Sequence, residues 1–368
     1  MPPDRSLYAT TPAKGWIPWT PLAPVLGLVF AIVTELPVDA VLQRFGLVTD
    51  RGDPIGVRGL MGFLLVSFIL WGAAVVGWVL AIERRSLATI GMQRERWHAQ
   101  LAGFLAGMGT IAAVVAMIAL AGGYRTGAVF PAFGDRGALV AILILAPCFL
   151  IQAGVEEIVF RGWLLSAITR RRSLLLGVVL STGLFALMHF SRGQPLLVTL
   201  NVVLFGLFAC AWSVATDSIW GVVGWHAGWN WLLATGFKVP VTGIDADVPA
   251  LLVTCTPTGR DVLTGGAQGP EGSVVCTVFF VVGIAYFAVR IARQRRGNRG
   301  AETLPPPCDD VAGGSPLSVG ASAVSTGTAG CGIVHNAGVH FGQSTIAGAD
   351  GHVDQTGNNT SSVDIRKS

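Results

Sequence analysis

The chain has 368 residues, of which 52% are hydrophobic and only 12% charged, with a mean hydropathy of +0.62 and a formal net charge of +4. Soluble domains carry about twice that charged fraction, so the composition excludes an ordinary soluble domain, and the basic residues, which sit in loops and beside apolar runs, read as topology signals and not as a nucleic-acid surface. The six cysteines form no C-x-x-C pair and no zinc-finger spacing.

The segment before Leu22 holds Arg5 and Lys14 but no small-residue cleavage site follows the first apolar run, so no removable signal peptide is expected. Uncharged runs of about 20 residues read as helices that cross the hydrocarbon of a bilayer. Such runs are Leu22–Leu42, Leu60–Ile82, Leu101–Ala121, Leu139–Leu165, Leu174–Phe190, Leu196–Val214, Ile219–Phe237 and Val274–Ile291. The expected fold is an all-α polytopic transmembrane bundle of about eight spans. Glu35, Pro37 and Asp39 interrupt the first run; the fourth is too long for a simple span and must tilt, kink at Pro147 or run past the interface. Arg84, Arg85, Arg94, Arg96, the Arg170–Arg172 triplet and Arg290 to Arg299 cluster on one side, which the positive-inside rule makes cytoplasmic together with both termini.

Trp16, Trp19, Trp78, Trp97 and Trp220 fall near span ends and suit an interfacial belt. Gly103 and Gly107 form a G-x-x-x-G on the third run and predict close helix packing. Cys148 and Cys210 read as packing residues; Cys255 and Cys276 flank one loop and could pair in an oxidising compartment. Residues 300–368 change to Gly, Ser, Thr, Ala and Val without period and read as a disordered cytoplasmic tail; its His335, His340 and His352 suggest no metal site. The chain divides into N-terminal spans (1–84), a core (85–292) and the tail.

Ionisable groups inside apolar spans are costly, which makes them functional candidates. The fourth run carries Glu156, Glu157 and Arg161. Glu157 and Arg161 stand four apart with the acid first, the favourable order for a helical ion pair. Glu156 lies about 100° round the helix and lacks that partner. One carboxylate is thereby anchored and the other left free, as a catalytic pair requires; a plain buried salt bridge beside a protonated glutamate explains the same residues. His189 ends the fifth run, four residues after Phe185. His226 and Asn230 share one face of the seventh, with Gly224 and Gly228 allowing a neighbouring helix to approach. Counting from the Arg170–Arg172 turn and from Asp217, the three sites lie at similar depths, roughly 20–26 Å along their helices. That common level predicts one shared cavity.

The order Glu-Glu-x-x-x-Arg, Phe-x-x-x-His, His-x-x-x-Asn on successive apolar helices resembles the CPBP intramembrane proteases, a family that includes the CAAX prenyl endopeptidases and bacterial Abi proteins. The resemblance covers roughly 85–292. It implies an endopeptidase in which Glu156 and His189 activate water, Glu157 and Arg161 support them, and His226 and Asn230 stabilise the oxyanion. The implied partners are a peptide or membrane-protein substrate and the lipid bilayer. No cofactor is expected, although two histidines and a glutamate could hold Zn²⁺. A non-enzymatic immunity or scaffold protein of the same fold and a transporter or proton pathway stand as alternatives. Substrate identity and oligomeric state are not encoded in any recognisable motif.

Overall fold

The computed structural model describes residues 6–8 and 11–302, with side chains described as far as residue 296. The tail expected from residue 300 lies outside the described side chains and, beyond residue 302, outside the described residues.

Each of the eight apolar runs forms a helix: α1 Leu22–Arg44, α2 Gly56–Ala81, α3 Ala99–Leu120, α4 Arg136–Arg171, α5 Leu174–Met188, α6 Leu196–Thr216, α7 Trp220–Gly236 and α8 Val274–Glu302. Among the described residues, six of them (α1–α4, α6 and α8) are long and apolar enough to cross a membrane. The expected count of eight is thus not confirmed: by length and composition, six helices qualify. The reason is length: α5 has 15 residues and α7 has 17, or about 23–26 Å at 1.5 Å per residue, against a hydrocarbon core of about 30 Å. Moreover α7 is buried from Gly221 through Gly236, so it lies inside the bundle, sheathed by other helices.

The long α4 stays continuous through Pro147. Its start is fixed by Asp135, whose carboxylate accepts from the backbone N–H groups of Gly137 and Ala138 at 2.8 and 3.2 Å, as an N-cap should. Directly after Glu157 the helix widens to π geometry over Ile158–Leu164; α2 does the same over Phe63–Ser67. Such stretches recur at functional sites.

The seam between α3 and α7 is built from reciprocal glycines. A methyl group at Gly103 or Gly107 would collide with the carbonyl of Gly221 or Trp225, and one at Gly224 or Gly228 with the carbonyl of Gln100 or Phe104. Backbone meets backbone here, which fixes the height of α7.

The all-α expectation needs a correction. A two-stranded antiparallel sheet joins β1 (Tyr124–Val129) to β2 (Val253–Pro257), pairing Arg125 with Thr256 and Thr126 with Cys255. The β-branched Thr126, Val129, Val253, Thr254 and Thr256 favour that conformation in the inter-helical loops. Cys255 in β2 and Cys276 in α8 are both buried, free thiols, so the bridge that their flanking positions allowed is not formed.

Two further residues depart from the sequence reading. Arg85, counted among the arginines that set topology, is 3% exposed. Its guanidinium pairs with the buried Glu83 at 2.5 Å and donates to Ser166 at 3.2 Å, while Glu83 also accepts from the indoles of Trp78 and Trp163. Trp78 therefore spends its N–H internally, as does Trp220 on the Gln93 carbonyl. Tyr8 is fully buried. Its hydroxyl donates to the Arg161 carbonyl at 2.9 Å, and its backbone N–H donates to Asp217 at 2.6 Å. Burial pushes the Tyr8 phenol well above its ordinary pKa and raises the Asp217 carboxyl.

Candidate active site

Helix α4 places Gln152 and Glu156 one turn apart, and Glu157 on an adjacent face. Glu157 is fully buried. Its Oε1 accepts from Arg161 Nη1 at 3.1 Å and from His226 Nδ1 of α7 at 2.9 Å. The ion pair expected from the i,i+4 spacing is present, and the contact with His226, 69 residues away, completes it. A carboxylate only accepts, so Nδ1 carries the proton in that bond, and the other ring nitrogen, Nε2, faces Glu156 Oε2 at 3.8 Å. His226 is thus wedged between the two glutamates.

Arg161 needs more than one carboxylate to sit in an apolar interior. Its guanidinium lies 4.4 Å from the centroid of the Phe185 ring and 5.5 Å from that of Phe205, and an aromatic face attracts a cation. Those two rings stack at 5.3 Å with an interplanar angle of 6°. The histidines rest on the same pair: His189 stacks on Phe185 at 4.2 Å and His226 meets Phe205 edge-on at 4.7 Å. His189 follows the last turn of α5 and donates from Nδ1 to the Phe185 carbonyl at 2.8 Å. Since a carbonyl accepts, neutral His189 holds its lone pair at Nε2.

Asn230, one turn beyond His226 on α7, donates from Nδ2 to Gln152 Oε1 at 3.0 Å. Two cavities meet at this point. The larger, about 250 Å³, is walled by α1 and α2 through residues such as Glu35, Leu64 and Trp71. The smaller, about 80 Å³, is walled by Asn201 and Phe205 of α6, Phe280 of α8, and Gln268 and Glu271 of the preceding loop. Gln152, Glu156, His189, Asn230 and Thr242 line both. Thr242 is held there by Glu271, whose Oε2 accepts from its backbone N–H at 2.7 Å and its hydroxyl at 2.9 Å, and whose Oε1 accepts from the Trp229 indole at 3.0 Å.

Glu156, Glu157, Arg161 and His226 therefore form one cluster, and Asn230 is tied to α4 through Gln152. His189 shares the cavity walls with Glu156 without bonding to it. Within the cluster Glu156 Oε2, Glu157 Oε2, Arg161 Nε and Arg161 Nη2 are buried without hydrogen-bond partners. Among the described residues, no group of three or more His, Cys, Asp or Glu side chains is placed to hold a metal ion.

Sequence reasoning missed Gln152, Phe205, Thr242 and Glu271. Gln152 had a usable signal, since it lies four residues before Glu156 in an otherwise apolar stretch. Phe205 had none: a phenylalanine in a span reads as ordinary packing. Thr242 and Glu271 lie in loops whose course only the tertiary structure reveals.

Residues 137–232 match the family described as type II CAAX prenyl endopeptidase Rce1-like. The resemblance read from the three motifs holds over that stretch, which is narrower than the 85–292 expected and runs from the first turn of α4 past the polar residues of α7. No curated protein and no solved structure matches the chain.

Proposed function

We propose that the chain is an intramembrane endopeptidase that hydrolyses a peptide bond of a membrane-associated substrate, a prenylated C-terminal segment or another membrane-bound peptide. The observation that carries this reading is the unequal setting of two adjacent glutamates. Glu157 is locked by Arg161 and His226, whereas Glu156 makes no hydrogen bond to a side chain and lines both cavities. A structural pair would have both carboxylates satisfied.

In this mechanism a water between Glu156 and the Nε2 of His189 gives up a proton to them, and its oxygen attacks the carbonyl carbon. The oxyanion that forms takes hydrogen bonds from Asn230 and, when Nε2 carries a proton, from His226. Collapse of the tetrahedral species breaks the C–N bond, and the proton returns to the departing amine. General acid–base help of this kind is worth about 10²–10⁴ in rate. The cavities lie on either side of Glu156, which suits a chain that continues in both directions from the cleaved bond. Substrate trapping with Glu156→Gln in the native host tests the reading: the variant retains substrate that the wild type releases as fragments. Full activity of Glu156→Gln overturns it. Activity lost on chelation and restored by Zn²⁺ would replace the metal-free version.

The same reading puts α5 and α7 across the bilayer with the six longer helices, and both termini in the cytoplasm. Reporter fusions after Arg96, Arg172 and Gly297 should all report the cytoplasmic side; opposite sides would change the span count.

A further inference from the structure

We propose that Gln152 is a second amide donor to the reacting carbonyl, acting beside Asn230; the inference rests on the endopeptidase reading above. Free donors at the site are few. Asn230 has two N–H bonds on Nδ2, and one is spent on Gln152 Oε1. His226 has spent Nδ1–H on Glu157, and its Nε2 holds a lone pair whenever the ring is neutral. His189 has spent Nδ1–H on the Phe185 carbonyl. Yet hydrolysis develops a full negative charge on the carbonyl oxygen, and oxyanion sites are built from donors aimed at that atom.

Gln152 supplies what is short. It is 7% exposed and lines both cavities. Its Oε1 is turned toward Asn230, so the planar amide turns Nε2 the other way, and among the described residues that nitrogen has no hydrogen-bond partner. That nitrogen is open to the cavity and not sealed in the protein, so its donors are available to a ligand. One helical turn separates Gln152 from Glu156, about 6 Å along the axis. That interval places an attacking water at Glu156 and a carbonyl oxygen at Gln152 on the same wall of the cavity. The two amides also fix each other: Gln152 orients the remaining N–H of Asn230, and Asn230 prevents Gln152 from rotating its oxygen into the site.

The test uses the full chain in detergent micelles, with a mixture of synthetic fluorescence-quenched decapeptides as the probe. The best-cleaved member then gives kcat and KM. Gln152→Met keeps the volume and deletes the donors; it should lower kcat on the order of 10²-fold, the usual loss for one oxyanion donor, with KM within about threefold. The decisive comparison is made in the Asn230→Ala background. A direct donor makes Gln152→Met cost at least a further tenfold in kcat there. If the second substitution costs nothing, Gln152 acts only by holding Asn230, and the proposal is overturned. Gln152→Glu gives an independent reading, because it keeps the acceptor for Asn230 and removes the Nε2 donors; wild-type kcat in that variant also overturns the proposal. Failure of this inference alone leaves Glu156→Gln inactive, whereas absence of any Glu156-dependent cleavage overturns both readings.

Discussion

Two clusters of buried charge lie in the described part of the chain, each with a guanidinium nitrogen that lacks a hydrogen-bond partner, and they differ in how their carboxylates are engaged. In the one around Glu83 both carboxylate oxygens are engaged, by Trp78, Trp163 and Arg85, and Arg85 reaches on to Ser166. In the one around Glu157 a carboxylate oxygen on each glutamate and two guanidinium nitrogens are left without partners. A carboxylate with a purely structural task would have both oxygens engaged, as Glu83 does, because an unpaired buried polar atom costs about 1–3 kcal/mol. The Glu83 cluster ties the end of α2 to α4. The Glu157 cluster keeps capacity in reserve beside a cavity.

The sharpest way to break this contrast is Glu156→Gln. Turnover should fall by about 10²–10⁴ with thermal unfolding unchanged, whereas Glu83→Gln should leave kcat per folded molecule intact. Next come the two arginines. Removing one partner of a buried pair costs about 3–5 kcal/mol, so both Arg161→Ala and Arg85→Ala should lower folded yield and unfolding temperature. Only Arg161→Ala should also lower kcat in the fraction that folds; equal kcat in the two variants would erase the distinction between the clusters. Gly228→Ala tests whether the α3–α7 seam holds His226 and Asn230 at the right height. Overpacking of this kind costs about 1–3 kcal/mol, and the loss of kcat should exceed that of a destabilised variant elsewhere. The smallest effect belongs to Tyr8→Phe, which removes a single hydrogen bond to the Arg161 carbonyl. Denaturation in detergent should show a loss of about 0.5–1.5 kcal/mol and little change in KM.

Much of this architecture is legible in the sequence because the bilayer imposes a simple code. The apolar runs became helices with most boundaries displaced by only a few residues, although α4 ends six and α8 eleven residues later than expected, and the glycines of α3 and α7 interlock as their spacing suggests. The pairing of Glu157 with Arg161 follows from i,i+4 geometry alone. The bond from Glu157 to His226 does not, since it crosses between helices and depends on how α7 is rotated. Arg85 shows the reverse error. Adjacent arginines after an apolar run look alike in sequence, yet Arg84 is exposed and Arg85 turns inward to Glu83. Tyr8 was illegible because a short polar lead gives no sign that one ring will be drawn into the core.

The stacked pair of Phe185 and Phe205 has a mechanical consequence. Arg161, His189 and His226 all bear on these two rings, and Arg161 and His226 also share Glu157 Oε1, so a flat ion and two imidazoles are aligned by one support. Lysine carries the same charge but no plane to lay against a ring. Arg161→Lys would therefore act like a loosened bearing: the electrostatic sum stays constant while the alignment of His189 and His226 drifts.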